Sequence, residues 1–162
     1  LLMGARGVGV GLGPLIAMRL TRGHLSRVLR VCGLAGLAYS ACYLSAAWAP
    51  LLPIAAILIV LGHLGGGAQW TLSSYGLQVR TPDAIRGRVM AGDFAIVTLV
   101  ISVTSLLSGW LAEAVGARWT ITVSAIAAGL AGAAYLAATR PVVHRLMATE
   151  SSGEGVLTRP GA

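Results

Sequence analysis

The chain has 162 residues, of which 56% are hydrophobic and only 10% are charged. Its formal net charge is +7, and all 12 of its basic residues are arginine. Residues 31–79 contain no Asp, Glu, Lys or Arg, and a soluble domain of this size has too little interior to bury so much apolar sequence. The composition therefore excludes a soluble globular domain and indicates an all-α integral membrane protein.

The positive charge does not indicate nucleic-acid binding. A nucleic-acid-binding protein gathers its basic residues on a groove or a face. Here the arginines lie between apolar runs of membrane length, as they do in cytoplasmic loops. We expect the lipid bilayer as a partner and no nucleic acid.

Because the chain starts at Leu1, with no charged signal region before the first apolar run, we also expect it to be truncated at the N-terminus.

The apolar runs predict five transmembrane helices, since a membrane-spanning helix needs roughly 20 mostly apolar residues. Pro50 and Pro53 divide the long uncharged stretch into two spans. The predicted spans cover residues 1–20, 31–48, 52–78, 91–112 and 119–139. Pro141 marks the end of the last span, and the polar residues 140–162 are expected to form a disordered cytoplasmic tail.

The arginines are distributed unevenly between the connections. Ten of the 12 lie in the loops after the first and third spans and in the tail, whereas the other two connections contain only Arg118. The positive-inside rule predicts a multi-pass protein of the plasma (inner) membrane with a cytoplasmic C-terminus. Trp48, Trp110 and Trp119 fall at the predicted outer ends, where membrane proteins carry an aromatic belt.

Closely spaced glycines mark the first span. Gly7 and Gly11, and likewise Gly9 and Gly13, are four residues apart, the spacing that lets two membrane helices approach closely. This spacing predicts a helix contact, and two interpretations stay open: a moving contact with a partner helix, or static packing. A nucleotide-binding loop is not indicated, since no strand precedes these glycines and the chain has no lysine.

Polar and small residues recur on one face of the third span. They follow steps of three or four positions and share a narrow wedge of the helix: His63, Gly67, Trp70, Ser74 and Gln78. Polar groups inside a membrane are costly and usually face a protein interior or a wet cavity. We predict that this face lines a substrate cavity; the alternative is hydrogen bonding that only holds the helices together. For His63, proton transfer and a structural role both stay open.

Arg6 and Asp93 are the charges nearest to or within the spans. Arg6 is predicted to face an anion or the cavity, with extension towards the outer surface as the alternative. Asp93 lies near the start of the fourth span, where the helix dipole favours an acid, and it can pair with a cytoplasmic arginine.

No cofactor or metal is expected. Catalytic motifs and paired catalytic residues are missing, which indicates that the protein is not an enzyme.

The loop after the third span resembles a known family. The segment GLQVRTPDAIRGRVMA, followed by SGWLAEAVGAR, is similar to the loop between the tenth and eleventh helices, and then the eleventh helix, of major facilitator superfamily transporters. The resemblance is greatest to the branch that contains enterobactin exporters and macrolide efflux proteins. The matching positions in the loop are Leu77, Gln78, Pro82, Asp83, Arg86, Gly87 and Arg88. The segment GARGVGVGLGP resembles the eighth helix of that branch, but no acidic loop motif follows it.

The resemblance implies that the five spans are helices eight to twelve of a twelve-helix fold, truncated at the N-terminus. The missing N-terminal half of the same transporter would then be a partner, together with a small-molecule substrate and protons. The function implied is secondary active transport in a bacterial membrane: proton-coupled efflux of small amphipathic molecules by alternating access. We predict an inner gate formed by Asp83, Arg86, Arg88 and Asp93. The alternative is a non-transporting membrane scaffold or assembly subunit.

Overall fold

The structure, a computed structural model, describes residues 1–151 of the chain. Over this range the chain forms five α-helices joined by short turns: α1 (Leu2–Thr21), α2 (Leu25–Ala47), α3 (Leu52–Arg80), α4 (Asp83–Val115) and α5 (Ala117–Ser151). In a helix the interior backbone N–H and C=O groups pair with one another within one segment. Helices therefore suit the hydrocarbon of a membrane, which offers these groups no other hydrogen-bond partners. The prediction of an all-α chain is confirmed for the described residues.

Four of the helices, α2 to α5, are long and apolar enough to cross a bilayer. α1 has the necessary length, with 20 residues, but Arg6, Arg19 and several glycines reduce its apolar content. The segment predicted as the first span is therefore a helix, and its crossing of the membrane stays a prediction.

The helices extend beyond the predicted spans, most clearly at the arginine-rich end. α4 begins at Asp83 instead of residue 91, and α5 continues through Pro141 to Ser151. Apolar runs indicate where a helix lies in lipid, but a helix can continue past the lipid when polar residues with good helix propensity follow. The predicted disorder is thus wrong for residues 140–151, and residues 152–162 of the predicted tail lie outside the described part of the chain.

α3 is the central helix of the bundle. α1 and α2 pack against it, α2 also packs against α5, and α4 contacts α5 and, more lightly, α3. Buried apolar side chains from α1, α2 and α3 form one small core of Ala17, Val28, Cys32, Ala68 and Leu72. α4 has no buried residue. A protein in water could not leave so many large apolar side chains exposed, whereas in a bilayer lipid covers them.

Glycines set the contact between α1 and α3. Gly9 and Gly13 are buried there. A Cβ atom on Gly9 would lie 2.5 Å from a backbone carbonyl oxygen of α3, and one on Gly13 would overlap the carbonyl of Leu64. From the other side, a Cβ atom on Gly67 would lie 2.6 Å from the carbonyl oxygen of Val10. The two backbones therefore touch directly, as small residues allow in membrane helices.

The other glycine pair of α1 behaves differently. Gly7 and Gly11 are exposed, and a Cβ atom on either would meet no atom within 4 Å among the described residues. The spacing of four residues is the same in both pairs, and the pairs differ only in that Gly9 and Gly13 face α3. Gly9 and Gly13 lie at a helix contact within the described chain, and a packing role for Gly7 and Gly11 stays a prediction.

α2 and α5 run antiparallel and are joined along their length. At one end, the rings of Trp48 and Trp119 meet edge to face with centroids 5.4 Å apart. The Trp48 indole N–H donates to the hydroxyl of Thr122 at 3.2 Å. Midway, the hydroxyl of Ser40 donates to the carbonyl of Ala125 at 2.6 Å. Two of the three predicted belt tryptophans thus share one end of the bundle.

At the opposite end, a carboxylate from α5 caps the start of α2. Glu150 accepts a hydrogen bond from the backbone N–H of Ser26 at 3.2 Å and another from the Ser26 hydroxyl. The first N–H groups of a helix have no partner inside it, and His24, which precedes α2, supplies no side-chain cap. The negative charge is also favoured by the helix dipole. This contact fixes the end of α5 against α2.

We predict that Gly13→Ala destabilises the bundle whereas Gly11→Ala does not. Alanine is the better helix former by about 1 kcal/mol, so Gly11→Ala should be neutral or stabilising. At Gly13 the added methyl meets the backbone of α3, and such overpacking costs typically 1–3 kcal/mol. Thermal unfolding of the purified chain in detergent measures both. Equal unfolding temperatures for the two variants would contradict the α1–α3 contact.

We predict that Glu150→Ala loosens the first turn of α2. Loss of a capping interaction costs about 1 kcal/mol, so amide hydrogen exchange should speed up by roughly fivefold at the start of α2 and the end of α5. Glu113→Ala, at an exposed position on α4, removes the same side chain and is the matched control. Unchanged exchange near Ser26 in Glu150→Ala would show that the carboxylate does not cap α2.

Candidate functional site

A cavity of about 570 Å³ lies between α3 and α4. Nine side chains line it: Trp70, Thr71, Ser74, Tyr75 and Gln78 from α3, and Met90, Asp93, Phe94 and Val97 from α4. The α3 positions recur every three or four residues, so they occupy one face of the helix. The cavity is thus formed by one face of the central helix and one face of the least buried helix.

Three polar side chains converge on this cavity. Ser74 and Gln78 face it from α3, and Asp93 faces it from α4. Among residues 1–151, none of the three side chains has a hydrogen-bond or ion-pair partner. Unpaired polar groups within a membrane are costly and usually face a wet or ligand-binding space. These groups can therefore bind water, a proton or the polar part of a ligand.

Three aromatic rings share the same lining. Trp70 is 52% exposed and Phe94 is 63% exposed, and with Tyr75 they supply most of the large apolar surface near the carboxylate. Aromatic faces attract cations, and a nearby carboxylate adds direct charge attraction. The arrangement suits an amphipathic molecule that carries an apolar body and a positive group.

His63 lies outside this cavity, two turns before Trp70 on the same face of α3, in an aromatic cluster. It is buried, and its Nδ1 is 3.1 Å from the carbonyl oxygen of Ile59 and 3.4 Å from the hydroxyl of Tyr43. The rings of Tyr39 and Tyr43 lie with their centroids 5.5 and 5.6 Å from the imidazole centroid. In this structure His63 is a packed, hydrogen-bonded residue, which was one of its two interpretations.

The structure therefore divides the predicted polar face of α3. α1 crosses α3 over residues 60–68 and covers the first part of this polar face, where Gly67 contacts the backbone of Val10. Beyond this crossing, Trp70, Ser74 and Gln78 face α4 instead. The sequence predicted one continuous lining because periodicity shows which residues share a face. It does not show that α1 covers one part of that face and α4 the next.

Arg6 is exposed on α1 and does not line the α3–α4 cavity. It is carried by α1, the helix that packs over α3 around His63. A cavity role for Arg6 would need a second wall that the described residues do not provide.

The four predicted gate residues do not form one cluster. Asp83 and Arg86 form an ion pair in the first turn of α4, and Arg86 also donates to the carbonyl of Thr81 at 3.2 Å. This pair ties the start of α4 to the end of α3. Arg88 is exposed, whereas Asp93 lies in the cavity and pairs with no arginine among the described residues.

Sequence reasoning missed several residues of the lining. Thr71 and Tyr75 share a helical face with Ser74 and Gln78, so the same periodicity that selected the polar face could have included them. Phe94 is the single phenylalanine of the chain and directly follows Asp93. An aromatic residue next to an intramembrane acid is a usable signal. Met90 and Val97 give no signal, because they resemble every other apolar residue of α4.

The comparison with protein families identifies the fold to which these helices belong. The sequence model of the Major Facilitator Superfamily matches residues 1–159, nearly the whole chain. No curated protein and no solved structure matches the chain. The family match agrees with the four long apolar helices and with an α3–α4 cavity that carries unpaired polar groups. The chain belongs to the Major Facilitator Superfamily of membrane transporters.

Proposed function

We propose that this protein exports small amphipathic molecules in exchange for protons, by alternating access. In this proposal the five helices are helices eight to twelve of a twelve-helix transporter in the plasma membrane, with a cytoplasmic C-terminus. The N-terminal half supplies the opposite wall of the cavity, since substrate sites of this fold lie between the halves near the bilayer midplane. The observation that carries the proposal is the α3–α4 cavity with its unpaired Asp93.

The cavity has the size and the chemistry for such a substrate. Small-molecule sites commonly occupy 300–1,000 Å³, and this cavity has about 570 Å³. Trp70, Phe94 and Val97 offer apolar surface to the body of the substrate. Ser74 and Gln78 offer hydrogen bonds that orient it.

Asp93 provides a physical means of coupling. A single carboxylate in apolar surroundings binds either a proton or a positively charged substrate, because either one neutralises it. Proton binding then releases the substrate, and substrate binding releases the proton. Exchange of the two across the membrane follows if the cavity opens alternately to each side.

The two glycine pairs of α1 have different roles in this proposal. Gly9 and Gly13 hold α1 against α3 and stay packed throughout the cycle. Gly7 and Gly11 face away from that contact and meet the N-terminal half, where small residues permit close, sliding packing. The ion pair of Asp83 with Arg86 holds the start of α4, and Arg88 contacts the other half at the inner gate.

The alternative function is a membrane scaffold that packs against another protein. The observation in its favour is α4, which has no buried residue and leaves a long apolar surface free. A scaffold has no need of an unpaired acid in a cavity, so substitution of Asp93 separates the two functions.

We predict that Asp93→Asn in the complete protein strongly reduces proton-driven efflux of a cationic amphipathic dye. Loss of a charged interaction worth roughly 1.5–3 kcal/mol should reduce efflux about tenfold or more. Glu113→Gln removes a carboxylate from the far end of α4 and is the matched control. Dye efflux from cells under an imposed pH gradient measures both, with membrane insertion checked by immunoblot. Normal efflux in Asp93→Asn would remove Asp93 from the coupling step.

We predict that Trp70→Ala changes the range of exported molecules. Removing the indole deletes the largest apolar surface of the lining, so bulky aromatic substrates should lose several-fold more efflux than small ones. Trp110→Ala, at an exposed position near the other end of α4, should leave the range unchanged. A panel of dyes and antibiotics of graded size gives the measurement. Identical profiles for the two variants would assign Trp70 a purely structural role.

A further inference from the structure

A second cavity, of about 330 Å³, lies between α2 and α5. It is lined by Arg30 from α2 and by Leu136, Thr139, Arg140, Val143 and His144 from α5. Two guanidinium groups and an imidazole thus share a small space with two apolar side chains. Leu136 and Val143 pack in the α2–α5 contact, whereas the proposed transport cycle gives the three basic side chains no role.

The positive charge in this cavity is not neutralised by any acidic side chain of residues 1–151. Among residues 1–151, no acidic side chain forms an ion pair with Arg30 or Arg140. Glu150, which lies on the same helix, is bound to Ser26 instead. Arg30 and Arg140 are both exposed beside the cavity, so their charges attract an anion that enters it. The cavity therefore has the electrostatics of an anion site.

Its depth matches the level of lipid headgroups. The contact of Trp48 with Trp119 marks one end of the α2–α5 pair. Along α2, Arg30 lies about 27 Å from Trp48, and along α5, Arg140 lies about 31 Å from Trp119, at 1.5 Å per residue. The hydrocarbon core of a bilayer is about 30 Å thick. With the tryptophans at one interface, both arginines reach the other.

We propose that this cavity binds the phosphate headgroup of an anionic phospholipid. Arginine binds phosphate oxygens through two parallel N–H groups, and basic pockets between membrane helices commonly hold anionic headgroups. Leu136, which is half-buried, continues the lining with apolar surface for the start of the acyl chains. This site is separate from the α3–α4 cavity, so its existence does not depend on the proposed transport function.

The test measures lipid binding to the purified, delipidated chain in a neutral detergent by native mass spectrometry. Phosphatidylglycerol should bind in preference to phosphatidylcholine. The double variant Arg30→Gln/Arg140→Gln should reduce that preference roughly tenfold to thirtyfold. The matched control Arg80→Gln/Arg145→Gln removes the same charge from exposed positions outside the cavity and should keep the preference.

Two further measurements decide between sources of the signal. Equal loss in both double variants would overturn the site in favour of diffuse attraction to a basic surface. Displacement of phosphatidylglycerol by millimolar inorganic phosphate would overturn the lipid assignment in favour of a free-phosphate site, whereas retention supports it. Binding of phosphatidylcholine and the helical circular dichroism should be the same in all variants, which shows that the loss is specific to the anionic headgroup and not caused by unfolding.

Discussion

The bundle depends on direct backbone contact at the glycines of α3. Gly67 meets α1, and on another side a Cβ atom on Gly65 would lie 2.8 Å from the carbonyl oxygen of Ala35 in α2. Lipid is as apolar as leucine, so helices in a membrane gain little from hydrophobic burial against one another and associate through close packing instead. α3 can therefore hold two neighbours at once, because it has small residues where each of them approaches.

This packing decides which part of α3 is left for chemistry. α1 and α2 occupy the helix around residues 60–68, where His63 is enclosed by aromatic rings. Further along the helix, Trp70, Ser74 and Gln78 face α4 across an open cavity. The opposite face of the same segment still packs, because Leu72 is buried against Ala17 and Val28. On the polar face, His63 has hydrogen-bond partners, whereas the side chains of Ser74 and Gln78 have none among residues 1–151.

The number and type of the helices could be predicted from the sequence, because long apolar runs separated by arginines leave few other structures in a membrane. Helix ends could not, since the apolar signal stops at the lipid boundary while α5 continues through Pro141. Spacing also failed to distinguish Gly9 and Gly13 from Gly7 and Gly11, because it does not show where the neighbouring helix lies. The cap of α2 by Glu150 joins residues far apart in the chain and has no local pattern.

The same limit explains why the candidate site was predicted only in part. Asp93 was recognisable as an acid in an apolar run, and Trp70, Ser74 and Gln78 as polar or aromatic members of a shared face. That they meet in one cavity depends on how α4 sits against α3, which is a tertiary property. α3 is the most extensively packed helix and α4 has no buried residue. The two helices contact each other only lightly, so the space between them stays open as a cavity instead of closing into a packed core.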